Sequence, residues 1–252
     1  MLSRKMKYIT AFLLSLCFFS FQKKHITVYM VGDSTMANKQ AKAFPETGWG
    51  MPFAHVFDNT VTVDNRAMNG RSTKSFINEK RWEAVTGKLQ EDDYVLIQFG
   101  HNDEKIDKPE VGTSLEEFKT NLVKYVQETR AAKAYPVLLT PVNRRNFDKE
   151  GHFKDTHMGY PDVVRAVAKE YNVPLIDMYN KTQQLLEKLG PDESTKLFNQ
   201  LEPGVSPNYP NGVKDNTHFS EYGAQVMSQL AVEGIRELQL PLAKRLIDNK
   251  EK

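Results

Sequence analysis

Short apolar runs alternate along the chain with segments in which apolar residues recur at helical spacing. Residues 25–32, 61–65, 94–99, 137–140 and 173–177 are rich in β-branched and aromatic side chains and end on glycine or polar stops, so each predicts a strand. Between them, Leu115, Phe118, Leu122, Tyr125 and Val126 mark one helix face, and Val163, Val164, Val167 and Tyr171 mark another. No internal repeat, low-complexity tract or long linker interrupts this alternation. A βαβα order predicts a parallel sheet covered by helices on both faces, because parallel neighbours need crossover connections and these are right-handed.

In open parallel sheets, ligands bind beyond the carboxyl ends of the strands. The polar residues with chemical potential gather there. Ser34 follows the first predicted strand, Gly70 stands a few residues after the second, Asn102 follows the third, and Arg144 and Arg145 follow the fourth. Ser220 predicts the N-cap of a last helix running to about Leu238, which places Asp215 and His218 in the loop that feeds it. Three short stretches, Val31-Gly32-Asp33-Ser34-Thr35-Met36-Ala37, Phe99-Gly100-His101-Asn102-Asp103 and Asp215-Asn216-Thr217-His218-Phe219, therefore supply a hydroxyl, an amide and a carboxylate three residues ahead of an imidazole. Those are the parts for acyl transfer through a serine nucleophile. Taken singly, Asp33-Ser34 would read as a helix cap, Asn102-Asp103 as a turn and Asp215 with His218 as a surface ion pair. Their meeting at one rim is what favours a shared site.

At the N-terminus, Arg4, Lys5 and Lys7 precede an apolar stretch over 8–21 that is too short to span a bilayer and ends before Lys23-Lys24, the layout of a signal peptide or N-terminal anchor over residues 1–22. The protein is expected to be exported: periplasmic, secreted or held at the cell surface. Leu16 occupies the position before Cys17 where a lipidation motif has a small residue, which weighs against a lipid anchor. Cys17 is the only cysteine of the 252 residues, so the mature chain is expected to lack disulfides, thiolate nucleophiles and sulfur metal ligands. The formal net charge of +2 includes the basic leader, which leaves the mature chain near neutral and without a nucleic-acid footprint. His101, Asp103, His152, His157, Asp215 and His218 could be counted as metal ligands, but no His-Glu-x-x-His helix occurs and no glycine-rich phosphate loop follows the first strand. No metal, no cofactor and no partner protein are expected.

The blocks Gly32-Asp33-Ser34-Thr35-Met36-Ala37, Asn65-Arg66-Ala67-Met68-Asn69-Gly70-Arg71-Ser72, Gly100-His101-Asn102-Asp103 and Asp215-Asn216-Thr217-His218-Phe219-Ser220 occur in the order of the SGNH (GDSL-like) hydrolase superfamily. Within it, the chain resembles the rhamnogalacturonan acetylesterase-like carbohydrate esterases. It departs from their Gly-Gly-Arg-Ser stretch by Asn69 in place of the first glycine. The resemblance implies an α/β fold: a three-layer α/β/α single domain over 23–240 with a central, mostly parallel five-stranded, flavodoxin-like sheet. A polar C-terminal tail over 241–252 is expected to fray.

By this resemblance Ser34 is the nucleophile, His218 its base and Asp215 the group that orients His218. The backbone N–H groups of Ser34 and Gly70 and the side-chain amide of Asn102 are the implied oxyanion donors. The implied activity is that of an exported serine esterase removing O-acetyl groups from plant cell-wall polysaccharide, with rhamnogalacturonan as the expected glycan. Arg144 and Arg145 are candidates for holding a uronate carboxylate, or else solvated loop arginines. Trp49 and Phe53 either stack on a sugar or cover the core. Alternatives are an acetyl esterase acting on xylan or small compounds, a lipolytic or thioester-cleaving enzyme using the same site, and a non-catalytic glycan-binding protein.

Overall fold

The computed structural model describes residues 23–247. The expected leader over 1–22, with Cys17, and the last residues from 248 on lie outside the described residues. Five strands, β1 (Ile26–Gly32), β2 (Val61–Asn65), β3 (Tyr94–Gln98), β4 (Tyr135–Leu139) and β5 (Leu175–Ile176), form one sheet in the order β2-β1-β3-β4-β5, and every neighbouring pair is parallel. The chain first steps outward from β1 to β2 and then resumes on the other side at β3. That reversal opens a crevice between the carboxyl ends of β1 and β3, where such sheets bind ligands.

The layers follow from the two-residue period of β1. Val28 and Met30 join a core with Leu96, Val137 and Leu139 on one face; Tyr29 and Val31 join Val95, Ile97 and Leu138 on the other. The first face is covered by α1 (Gly50–Phe53), α6 (Met178–Glu193) and α7 (Glu221–Glu237), through Phe53, Leu186, Met227, Ala231 and Ile235. The second is covered by α2 (Thr73–Asn78), α3 (Arg81–Thr86), α4 (Leu115–Ala131) and α5 (Tyr160–Glu170), through Phe76, Trp82, Phe118, Leu122 and Val164. Each such large side chain stabilises the fold by roughly 1.5–3 kcal/mol when fully buried. Trp49 belongs to this packing. Its ring is fully buried edge-on to Phe53, and its indole N–H donates to Gln98 Oε1 at 2.9 Å.

Strand boundaries differ from the sequence expectation where proline intervenes. β4 begins at Tyr135, two residues before the predicted start at 137, and contains Pro136. Proline is tolerated because β5 pairs only with Leu138 and Leu139, so Pro136 has no partner on that side that needs an N–H. Pro174 likewise precedes a β5 of only two residues.

Two further elements alter the picture at the site. The stretch holding Asp215 and His218 is not a simple loop. It is the strand β7 (Val213–Phe219), antiparallel to β6 (Phe198–Leu201) in a small second sheet. Lys214, Asp215 and Asn216 are poor strand formers, which hid this element. Residues 241–247, expected to belong to a fraying polar tail, are instead packed onto the domain. Pro241–Arg245 forms a 3-10 turn, Leu242 is buried, Leu246 pairs with Phe57, and Arg245 donates to the carbonyls of Lys24 and Thr60. Two leucines anchor a segment whose charges alone suggested fraying.

Candidate active site

β1 delivers the nucleophile on a tight turn. Asp33 Oδ1 accepts from the backbone N–H of Thr35 at 2.9 Å and from its hydroxyl at 2.8 Å, while the Asp33 carbonyl accepts from Met36 and Ala37. Asp33 thus builds the turn, and Ser34 rides on it.

β7 delivers the base on a bulge. Between the paired positions Phe198–Phe219 and Gln200–Lys214, β6 has one residue, Asn199, and β7 has four, Asp215 to His218. The surplus lifts this stretch off the ladder, as bulges beside functional sites do. Gln200 Nε2 holds the base of the bulge by donating to the Asp215 carbonyl at 2.9 Å and to Asn216 Oδ1 at 2.8 Å. Ser220 ends it by capping α7, its hydroxyl accepting from Gly223 N–H at 3.0 Å. Gly223 is needed there, since a Cβ would lie 1.7 Å from the Leu197 carbonyl oxygen.

These elements bring the three side chains into one line. His218 Nε2 is 2.9 Å from Ser34 Oγ, and His218 Nδ1 is 2.7 Å from Asp215 Oδ2. The other carboxylate oxygen, Oδ1, accepts from the backbone N–H groups of Thr217 at 2.7 Å and His218 at 2.9 Å, which fixes the carboxylate plane. Burial pushes the Asp215 carboxyl up, but the bonds from the His218 ring and the two backbone donors outweigh it and leave it below the usual carboxylate value. An ionised Asp215 accepts from Nδ1–H, so Nε2 faces the Ser34 hydroxyl as an acceptor. A hydroxyl aligned this way loses its proton as it attacks a carbonyl.

The candidate oxyanion donors lie on the two neighbouring loops. Gly70 has φ of +76°, and nothing stands within 4 Å of where a Cβ would be, so backbone conformation rather than space calls for glycine. Its loop is tied to β1 by Met68 N–H donating to the Gly32 carbonyl at 3.0 Å and is braced by Arg71, which pairs with Glu79 and donates to the Asn69 carbonyl. Asn102, 3% exposed, uses one amide hydrogen on the Arg71 carbonyl at 3.0 Å and accepts from Lys105 Nζ at 2.7 Å. Asp103 staples the two loops, accepting from Thr73 N–H at 2.9 Å and from its hydroxyl at 2.5 Å.

Residues 30–226 match the model of the GDSL-like lipase/acylhydrolase family. The chain belongs to that family. It is 43% identical over 91% of its length, and 98% of the relative's, to rhamnogalacturonan acetylesterase RhgT of Bacillus subtilis. It is 33% identical over 87% of its length, and 97% of the relative's, to the probable rhamnogalacturonan acetylesterase YesY of the same organism. Among solved structures, the Bacillus subtilis protein YXIM superposes with a TM-score of 0.74 at 26% identity, covering 86% of this chain and 58% of that one. A GDSL-like family member with these relatives is an ester hydrolase.

In this GDSL-like hydrolase the two arginines are committed within the protein. Arg144 Nη2 pairs with Glu104 Oε1 at 2.5 Å and donates to the His101 carbonyl, and its Nη1 donates to the Thr156 carbonyl. Arg145 donates through Nε and Nη2 to the Pro191 carbonyl and through Nη1 to Asn216 Oδ1 at 3.1 Å. Neither guanidinium offers the open fork that a uronate carboxylate needs; Arg145 instead clamps the bulge that carries His218. Among the described residues, no group of three or more His, Cys, Asp or Glu side chains is arranged to hold a metal ion.

Beneath the site lies a buried polar layer of Asp33, His101, Asp103 and His157; sequence reasoning had weighed the last three as possible metal ligands and Asp33 as a helix cap. His101 Nδ1 stands 3.5 Å from Asp33 Oδ2, and the His101 and His157 rings pack edge to face at 4.5 Å. Burial pushes His157 well below its ordinary value, and the neighbouring His101 ring and Arg144 guanidinium push it the same way. Burial pushes the Asp103 carboxyl up to about 7 against its bonds from Thr73. Burial raises Asp33 too, but His101 and the Thr35 donors overcome it and hold the carboxyl at about 2.

The Asp33 shift has a signed consequence. Its folded value lies below the unfolded one of about 3.9, so the unfolded state binds more protons in between, and the stabilisation is complete above about pH 4 and is lost as pH falls towards 2. Asp33→Asn is expected to be less stable than the parent by about 2 kcal/mol at neutral pH. The gap should narrow in denaturant titrations as pH falls below 4. A gap that stays constant to the acid limit would contradict this assignment.

Proposed function

We propose that this protein is a carbohydrate acetylesterase that removes O-acetyl groups from rhamnogalacturonan through an acyl-enzyme, and that it acts after export. The observation that carries this reading is the unbroken Ser34–His218–Asp215 hydrogen-bond chain in a protein that is 43% identical over 91% of its length to a relative named rhamnogalacturonan acetylesterase.

Ser34 Oγ attacks the acetyl carbonyl carbon while His218 Nε2 takes the hydroxyl proton. Negative charge gathers on the former carbonyl oxygen, which faces the N–H groups of Ser34 and Gly70 and the free amide hydrogen of Asn102. Collapse of this intermediate breaks the bond to the sugar oxygen, and His218 returns its proton to that oxygen. Water, deprotonated by His218, then attacks the acetyl carbon; the bond to Ser34 Oγ breaks, His218 returns the proton to Oγ, and acetate leaves. Asp215 stays ionised throughout and stabilises the imidazolium formed in each half.

The test is acetate release by purified protein from acetylated rhamnogalacturonan, acetylated xylan, and short and long acyl esters. The expected order has rhamnogalacturonan first in kcat/KM. Preference for xylan would move the substrate to another polysaccharide, activity on long acyl chains alone would make the enzyme lipolytic, and glycan binding without turnover would make it a binding protein.

A further inference from the structure

We propose that Lys39 and Lys105 are positioning residues for the oxyanion donors, each ammonium locking one part of the hole in the orientation that turnover requires; this rests on the acyl-transfer reading above. Neither residue stood out in the sequence, and neither bonds to the side chains of Ser34, His218 or Asp215; Lys39 meets only the Ser34 backbone carbonyl.

Lys39 is a lysine with a side chain only 1% exposed, which is rare unless the charge is fully partnered. Its three N–H donors have three acceptors: Glu46 Oε1 at 2.6 Å, the Ser34 carbonyl at 2.6 Å and Asn69 Oδ1 at 3.1 Å. One group thereby joins the turn that carries Ser34 to the loop that carries Gly70. The Asn69 side chain is the acceptor that makes this link. Without Lys39 the Asn69 side chain loses its tie to the Ser34 turn, and the loop keeps only its Met68 bond to β1 and its Arg71 brace.

Lys105 acts on the third donor. Its Nζ donates to Asn102 Oδ1 at 2.7 Å, and it makes no ion pair with a carboxylate among the described residues. An ammonium carries no acceptor, so the Asn102 amide can meet it only through oxygen. The NH2 group is then turned towards the Arg71 carbonyl, with its second hydrogen left for the substrate oxygen. The adjacent charge also polarises the amide and strengthens it as a donor.

Two double-mutant cycles test this on p-nitrophenyl acetate, a small neutral ester, with inhibition by methylboronic acid as a second readout, because its tetrahedral adduct on serine occupies the same hole. Asn102→Ala is expected to lower kcat by about 10²–10³-fold. Lys105→Met is expected to lower it about tenfold or more with KM nearly unchanged and with a parallel loss of boronate affinity. The double variant Lys105→Met/Asn102→Ala should be no worse than Asn102→Ala alone, since Lys105 acts through that amide. Lys39→Met and Asn69→Gly should likewise combine less than additively. Lys39→Met/Glu46→Gln carries that arm if the single variant, which strands Glu46, does not fold.

Unchanged kcat in Asn102→Ala would remove the oxyanion assignment itself. A normal Asn102→Ala loss to which Lys105→Met adds in full would leave that assignment standing and overturn the positioning role. A Lys105→Met effect confined to KM on acidic glycan would overturn it too, making Lys105 a contact for the substrate carboxylate.

Discussion

Replacing Ser34 by alanine is expected to reduce kcat by about a millionfold, the scale on which serine hydrolases lose turnover without their nucleophile. The expectation follows from the site's geometry. Among the described residues, the only side-chain bond that the Ser34 hydroxyl makes is the 2.9 Å contact with His218 Nε2, so its removal deletes the attacking atom and disturbs little else. Thermal stability should therefore stay close to the parent's. His218→Ala should cost a similar factor, and Ser34→Ala/His218→Ala no more than either alone, because a base without a nucleophile has nothing to activate. The measurement is acetate release under saturating substrate, with the melting temperature recorded for each variant. Multiplying losses in the double variant, or turnover within about a hundredfold of the parent in Ser34→Ala, would show that attack proceeds elsewhere.

What could be read from the sequence was whatever depends on local chemistry repeated at a fixed period. The apolar runs around Val28, Leu96 and Val137, alternating with stretches of helical period, pointed to a parallel sheet because parallel neighbours need crossover connections. The short blocks around Ser34, Gly70, Asn102 and His218 were legible because few other arrangements use those residue types at those strand ends. Partnership between distant side chains was not legible. Arg144 and Arg145 looked available for substrate, yet their acceptors are Glu104, 40 positions away, and the carbonyl of Pro191, 46 positions away. Nothing in the pattern around Lys39 distinguishes it from a solvated loop lysine. Its meaning comes from Glu46 and Asn69, which only the folded chain brings to it. The β6–β7 hairpin escaped for a further reason: its bulge is made of Asp, Asn, Thr and His, residues chosen for the site at the expense of strand propensity.

Asp215→Asn is expected to lower kcat by about 10⁴-fold while KM and folding stay near the parent's, the scale found when the carboxylate of such a triad becomes an amide. An asparagine can still accept the N–H groups of Thr217 and His218 through its oxygen, as Asp215 Oδ1 does at 2.7 and 2.9 Å, so the bulge should persist. The atom facing His218 Nδ1 then becomes an NH2 group. Two donors cannot face each other, so the imidazole moves its proton to Nε2 and presents a donor to Ser34 Oγ where an acceptor is needed. The loss is therefore one of tautomer and of imidazolium stabilisation, which enter in the transition state and leave ground-state binding alone. Asp215→Ala separates these effects from folding, since it also removes the acceptor for both backbone donors and should lower the melting temperature as well as kcat. A tenfold or smaller decline in kcat for Asp215→Asn, with the variant fully folded, would mean that the short Asp215–His218 contact braces the bulge and does not tune the base.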